Sequence, residues 1–64
     1  MAIKLEEKKK YRITKGEDVM EFIPMTIDRK SNEVYLKITA PHSYHQGIHL
    51  SSLESKEGIE EIPM

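Results

Sequence analysis

The sequence contains no cysteine, which excludes disulfide cross-links and thiolate metal cages as ways of holding a small chain together. It has no apolar run approaching the roughly 20 residues of a bilayer-crossing helix, and Met1 to Lys10 lacks the apolar stretch of a secretory signal. These absences lead to the expectation of a soluble protein of the cytoplasm with no membrane partner. The glycines are equally sparse: Gly16, Gly47 and Gly58 stand far apart, so no glycine-rich phosphate cradle is present, and no metalloprotease helix motif occurs. Internal repeats and low-complexity segments are absent too.

What is present is 64 residues, 38% apolar and 33% charged, a balance that suits a folded chain better than a disordered one. A domain of this size buries only about 60% of the surface of its unfolded chain. Without disulfides or a metal, association is the remaining common source of stability, and a homodimer is expected. The net charge of -1 conceals a polarity. Lys4, Lys8, Lys9, Lys10, Arg12 and Lys15 crowd the beginning, and Glu54, Glu57, Glu60 and Glu61 crowd the end. Such a basic stretch either meets phosphates or guards a sheet edge, and edge protection by lysine is a general device.

Alternation with a period of two predicts strands. Ile3 and Leu5, then Tyr11 and Ile13, alternate with polar residues, giving two short strands or one bent one. Lys15 to Asp18 is a turn around Gly16. From Val19 to Ile27 both faces carry apolar groups: Val19, Ile23, Met25 and Ile27 share one with Glu21, and Met20, Phe22, Pro24 and Thr26 share the other. That pattern suits a strand covered on both sides, by the core and by a second subunit. Pro24 donates no ladder hydrogen bond and predicts an edge position or a bulge, with a possible change of register.

Asp28 to Glu33 is a polar hairpin connection. Val34, Leu36, Ile38 and Ala40 then alternate with Tyr35, Lys37 and Thr39, so one face belongs to the core and the other to solvent or ligand. Ala40-Pro41 ends that strand. Ile48, His49 and Leu50 form a short alternation, and Ser51 with Glu54 has capping-box spacing, predicting a helix over Ser52 to Glu57 closed by Gly58. Residues 1-58 thus form one β-rich domain, and residues 59-64 an acidic tail that is either loose or a strap.

Asp28 to Pro41 resembles a segment of the carbon storage regulator (CsrA) family of small dimeric RNA-binding proteins. Lys30-Ser31-Asn32 stands for the family's Lys-Gly-Asn turn, Val34 to Ile38 for its alternating strand, and Ala40-Pro41 for its Ala-Pro. Ile48 to Leu53 is similar to the family's Val-His-Arg-Glu-Glu-Ile, and Gly16-Glu17-Asp18-Val19 to its Gly-Asp-Glu-Val turn. The resemblance implies a mainly β chain: a small five-stranded antiparallel sheet or barrel, intertwined as a homodimer, with one short C-terminal helix. The family's RNA-contacting arginines are not matched. Glu6 and Glu7 stand in the first strand and Leu50 follows His49, and Lys8, Lys9 and Lys10 offer charge without a planar fork.

Among residues that carry chemistry, His42, His45 and His49 have spacing that a helix would place on one side. Pro41 and Gly47 interrupt such a helix, and no metal or other cofactor is expected. A binding groove suits them better. His42, Tyr44, His45 and His49 offer rings for stacking on a base, and Lys37 and Arg12 offer charge for phosphate. Serines beside these histidines lack any orienting group, so no enzyme is expected. The leading expectation is a binding module for RNA or a nucleotide-like anion. Two alternatives stand beside it: a small inhibitor, of the kind mobile elements encode, that sequesters a signalling nucleotide or blocks a host protein, and a structural module that docks onto a larger protein assembly.

Overall fold

A computed structural model describes residues 4 to 63; Ile3, expected in a strand with Leu5, and Met64, the end of the expected tail, lie outside them. The described chain is mainly β. Strands β1 (Lys10–Lys15), β2 (Asp18–Asp28), β3 (Glu33–Ala40) and β4 (Tyr44–His49) follow one another, then helix α1 (Leu50–Glu54) and strand β5 (Ile59–Ile62). All neighbouring strands are antiparallel, in one sheet of order β4-β3-β2-β1-β5. Among the described residues no helix is long and apolar enough to cross a membrane.

The core lies on one face of the sheet. Tyr11 opposes Phe22, and Phe22 opposes Ile38, giving a cross-strand row in which all three side chains are buried. The rings of Tyr11 and Phe22 stack with centroids 5.7 Å apart. The Tyr11 hydroxyl accepts a hydrogen bond from the Glu6 amide at 3.0 Å, which satisfies the polar end of an otherwise apolar side chain. Val34 and Leu36 extend this face along β3, and Leu50 and Leu53 cover it from α1. Leu5 is buried there as well, although residues 4 to 9 form an arm with a turn and not the expected strand. Lys8 takes a positive φ of 65° in that turn.

Pro24 lies in the middle strand of the sheet, where its missing N–H would ordinarily leave a ladder bond unmade. Its carbonyl accepts from the Lys8 amide at 2.8 Å. In an antiparallel strand the N–H and C=O of one residue point to the same side, so the absent donor faces the arm and not β3. The register shifts between Pro24 and Thr26, which places the bulge at Met25. Beyond it the two faces exchange occupants. Ile27 now opposes Val34 and packs against the core, and Thr26 opposes Tyr35 on the other face; the bulge and change of register expected at Pro24 fall here, and the expected grouping of Ile27 with Ile23 on one face gives way to them.

The helix starts earlier and stops earlier than the expected Ser52 to Glu57. The capping-box reading fails because both members have other partners. Asn32, in a left-handed conformation with φ 59°, accepts the Leu50 amide on its carbonyl and the Ser51 amide on its side chain, and its Nδ2 donates to the Ser51 hydroxyl. The first amides of α1 are thus capped from the β2–β3 turn. Glu54 meets Arg29 through paired bonds of 3.1 Å and accepts the Leu5 amide at 2.7 Å, and Arg29 also donates to the Leu5 carbonyl.

Residues 59 to 62 of the expected tail form an edge strand. Arg12 opposes Glu60 and Tyr11 opposes Glu61, so the basic beginning and acidic end of the chain neutralise one another along β1 and β5. Gly58 is left-handed as expected, with φ 81°, but it serves this strand and not the helix terminus. A Cβ there would stand 2.5 Å from the Thr14 carbonyl oxygen, and the Thr14 amide donates to the Gly58 carbonyl.

The Arg29 guanidinium beside Glu54, with the Leu5 amide, holds the Glu54 carboxyl below its ordinary value despite partial burial. A depressed carboxyl stabilises the fold above its unfolded value of about 4.5, and that contribution is lost as pH falls through the lower folded value. Thermal unfolding followed by circular dichroism should therefore show a loss of stability below about pH 4.5 that is smaller in Glu54→Gln, which starts less stable at pH 7; an unchanged acid profile in the variant would contradict this role.

Candidate functional site

The face opposite the core is open. Period-two alternation and the strand register place Lys10 and Arg12 of β1, Glu21 and Ile23 of β2, Glu33, Tyr35 and Lys37 of β3, and His45, Gly47 and His49 of β4 on it. A sheet with one uncovered face ordinarily presents polar residues there. This one also presents aromatic surface: Tyr35 is 50% exposed, and its ring stacks on His45 with centroids 5.8 Å apart and planes 16° from parallel. The stack is diagonal, because Tyr35 directly opposes Gly47 and Lys37 directly opposes His45.

Gly47 leaves the flank of the Tyr35 ring clear. A Cβ at that position would stand 3.8 Å from the ring, an ordinary contact, so the glycine is not forced by close packing. One row further along the same face, Asp28 opposes Glu33 and Glu33 opposes His49. Together with Thr26, Tyr35, Gly47 and Ser52 these residues line a cavity of about 750 Å³. The Ser31 hydroxyl and amide, joined by the Lys30 amide, hold the Asp28 carboxyl below its ordinary value. The cavity end of the face therefore holds the Asp28 carboxylate beside Glu33. Four residues beyond Glu33 along β3, Lys37 carries the opposite charge and makes no ion pair among the described residues.

The expected site residues divide over the sheet. Lys37, His45 and His49 share the open face near the Tyr35 ring. Tyr44 is on the other face, opposite Ile38 at the rim of the core row, because alternation along the strand Tyr44–His49 turns it away from His45. His42 lies in the connection between β3 and β4 and is exposed. Arg12 is on the open face, but its guanidinium is engaged by Glu60 at 3.3 Å and Glu21 at 3.7 Å. The helical spacing of the histidines does not apply: an extended chain separates His45 from His49 by about 13 Å, too far to share one ion.

Tyr35 and Gly47 were not singled out from the sequence. Alternation along Val34 to Ala40 assigns Tyr35 to the solvent or ligand face, and pairing with β4 is what brings it to His45. No family model matches the chain, and no curated protein or solved structure matches it either.

An exposed ring pair contributes roughly 0.5 kcal/mol, the lower end of the aromatic range. His45→Ala should accordingly reduce chemical-denaturation stability by about that amount and sharpen no other transition, whereas Phe22→Ala in the buried row should cost about 3–5 kcal/mol and unfold much of the protein. A loss above about 2 kcal/mol from His45→Ala would show that the ring is structural and not a surface feature.

Proposed function

We propose that this chain is a non-enzymatic binding module that takes RNA or a nucleotide-like anionic ligand on the open face over β3 and β4. The observation that carries the reading is the exposed Tyr35–His45 stack with Lys37, which makes no ion pair among the described residues, directly opposite His45. A nucleotide presents a flat base, a phosphate and amino or imino donors on the base edge. Tyr35 and His45 supply the stacking surface, Lys37 the cation, and Glu33 with Asp28 the acceptors for a base's N–H groups. A bare anion would gain nothing from those carboxylates, so a whole nucleotide fits the face better than phosphate alone.

The resemblance to the carbon storage regulator family supports RNA as the ligand class, although the binding surface is not the arginine set of that family. The cations of the arm and of β1 contribute little in this reading, since Lys9, Lys10 and Arg12 face Glu6, Glu21, Glu60 and Glu61. A cysteine-free chain with such a ligand suits the cytoplasm.

The carboxylates in the cavity favour a second reading, in which the same face blocks or docks onto a protein that presents a cationic side chain to Tyr35, Asp28 and Glu33. The two readings differ in the sign of one substitution. Lys37→Ala weakens RNA binding by removing a phosphate contact and strengthens capture of a cationic partner by removing a like charge.

Fluorescence anisotropy with a labelled single-stranded RNA of mixed sequence provides the test. Tyr35→Ala should weaken binding by about 5- to 150-fold, the range for loss of one stacked base. Lys37→Ala should weaken it and lower the slope of log affinity against log salt by about one phosphate contact. Equal affinity in wild type, Tyr35→Ala and Lys37→Ala would remove the proposal.

A further inference from the structure

The sheet has two edges, and they differ in chemistry. The β5 edge is four residues long, carries Glu60 and Glu61, and runs into Pro63. Charge, brevity and proline are the devices that keep sheet edges from pairing with other chains. The β4 edge has none of them. Its sequence is Tyr-His-Gln-Gly-Ile-His over six residues, with no carboxylate, lysine, arginine or proline, and five of the six residues are exposed.

The backbone of β4 also has a defined outward set. The Leu50 amide donates to the Asn32 carbonyl at 3.0 Å, one step beyond the His49–Glu33 pair of the β3–β4 register. In an antiparallel pair the residues that bond to the partner alternate with those that do not. Tyr44, Gln46 and Ile48 therefore direct their N–H and C=O groups toward β3, and His45, Gly47 and His49 direct theirs outward. The Pro24 carbonyl bond to Lys8 agrees with this phase: it turns Pro24 away from Leu36, which leaves Leu36 to bond to Gln46.

We propose that β4 pairs with β4 of a second copy of this chain, antiparallel about a two-fold axis at Gly47. This inference goes beyond the ligand reading and rests on different observations. Pairing Gly47 with the partner's Gly47 sets His45 against the partner's His49, so every outward-pointing residue of β4 acquires a bonded neighbour. Two five-stranded sheets join into one continuous sheet with both open faces on the same side. An edge without formal charge is complementary to itself, whereas two β5 edges would bring glutamates together. The second copy also extends the site. Gly47 and the partner's Gly47 form a floor without side chains between Tyr35 and the partner's Tyr35, whose Cα atoms lie three strand spacings apart, about 14 Å. That trough accepts a flat ligand with a ring at each wall.

Light scattering coupled to size exclusion at about 100 µM protomer tests the pairing. The expected mass is twice the 7.5 kDa of one chain. Gly47→Lys places two ammonium groups across the axis and should raise the dimer dissociation constant by at least about 100-fold, the scale of like charges directly opposed in a paired edge. Gly47→Ala, for which the ring of Tyr35 leaves room, should remain dimeric. Amide hydrogen exchange on the wild type gives a second readout that needs no variant, with slow exchange at His45, Gly47 and His49. A monomeric wild type, a Gly47→Lys variant that stays dimeric, or rapid exchange at those three amides would overturn the proposal. None of these results touches the ligand reading, which Tyr35→Ala and Lys37→Ala test.

Discussion

The paired hydrogen bonds between Arg29 and Glu54 join three segments that the sheet alone does not hold: the N-terminal arm, the β2–β3 turn and helix α1. As an ion pair with an exposed guanidinium the contact itself is worth little. Its importance lies in what it closes. Glu54 accepts the Leu5 amide and Arg29 donates to the Leu5 carbonyl, so both backbone groups of a buried residue are satisfied by the same two side chains. Loss of either partner unmakes a part-buried backbone hydrogen bond of Leu5 as well as the ion pair. Leu5, Leu50 and Leu53 sit over the sheet under this clasp, and Asn32 fixes the other end of the helix from the same turn.

A five-stranded sheet has two faces, and the arm and helix cover one. The division of labour follows from that. The Tyr11, Phe22 and Ile38 row packs against the covered side, the Met25 bulge sends Ile27 to it, and Pro24 is tolerated in a central strand because its unusable side faces the arm. The other face keeps Tyr35, Lys37, His45 and His49 accessible, with the cavity beside them. Covering one side with so short a chain also leaves β4 as an uncapped margin of the same surface, so the open face and the β4 edge share residues.

The sequence made the strands legible wherever alternation was clean. Val34 to Ile38 has the faces it predicts, whereas the register shift between Glu21 and Phe22 sets Ala40 opposite Glu21 and off the core row; the turns at Gly16 and Asp28 to Glu33 stand where polar and glycine residues place them. Three features were hidden, each for a non-local reason. The arm around Leu5 shares its alternation with a strand, but no neighbouring strand runs beside it in the ladder. The acidic end becomes β5 because its glutamates find Arg12 and Lys9 across the sheet, a complementarity that no local pattern reveals. The capping-box spacing of Ser51 and Glu54 is genuine as a pattern, yet Asn32 and Arg29, distant in sequence, take both members. The candidate site was half legible: Lys37, His45 and His49 share the open face as a groove would require, whereas Tyr44 fell to the opposite face once the segment proved to be a strand. Tyr35 depended on which strand became its neighbour.

The central claim is that the open face over β3 and β4 receives a nucleotide or RNA. Titration of isotopically labelled protein with a short single-stranded RNA, followed by amide and side-chain chemical shifts, tests it residue by residue. The account predicts changes concentrated at Tyr35, Lys37, His45, Gly47 and His49, with the aromatic protons of Tyr35 and His45 moving most. Changes confined to β1 and β5, or none at all, would contradict it.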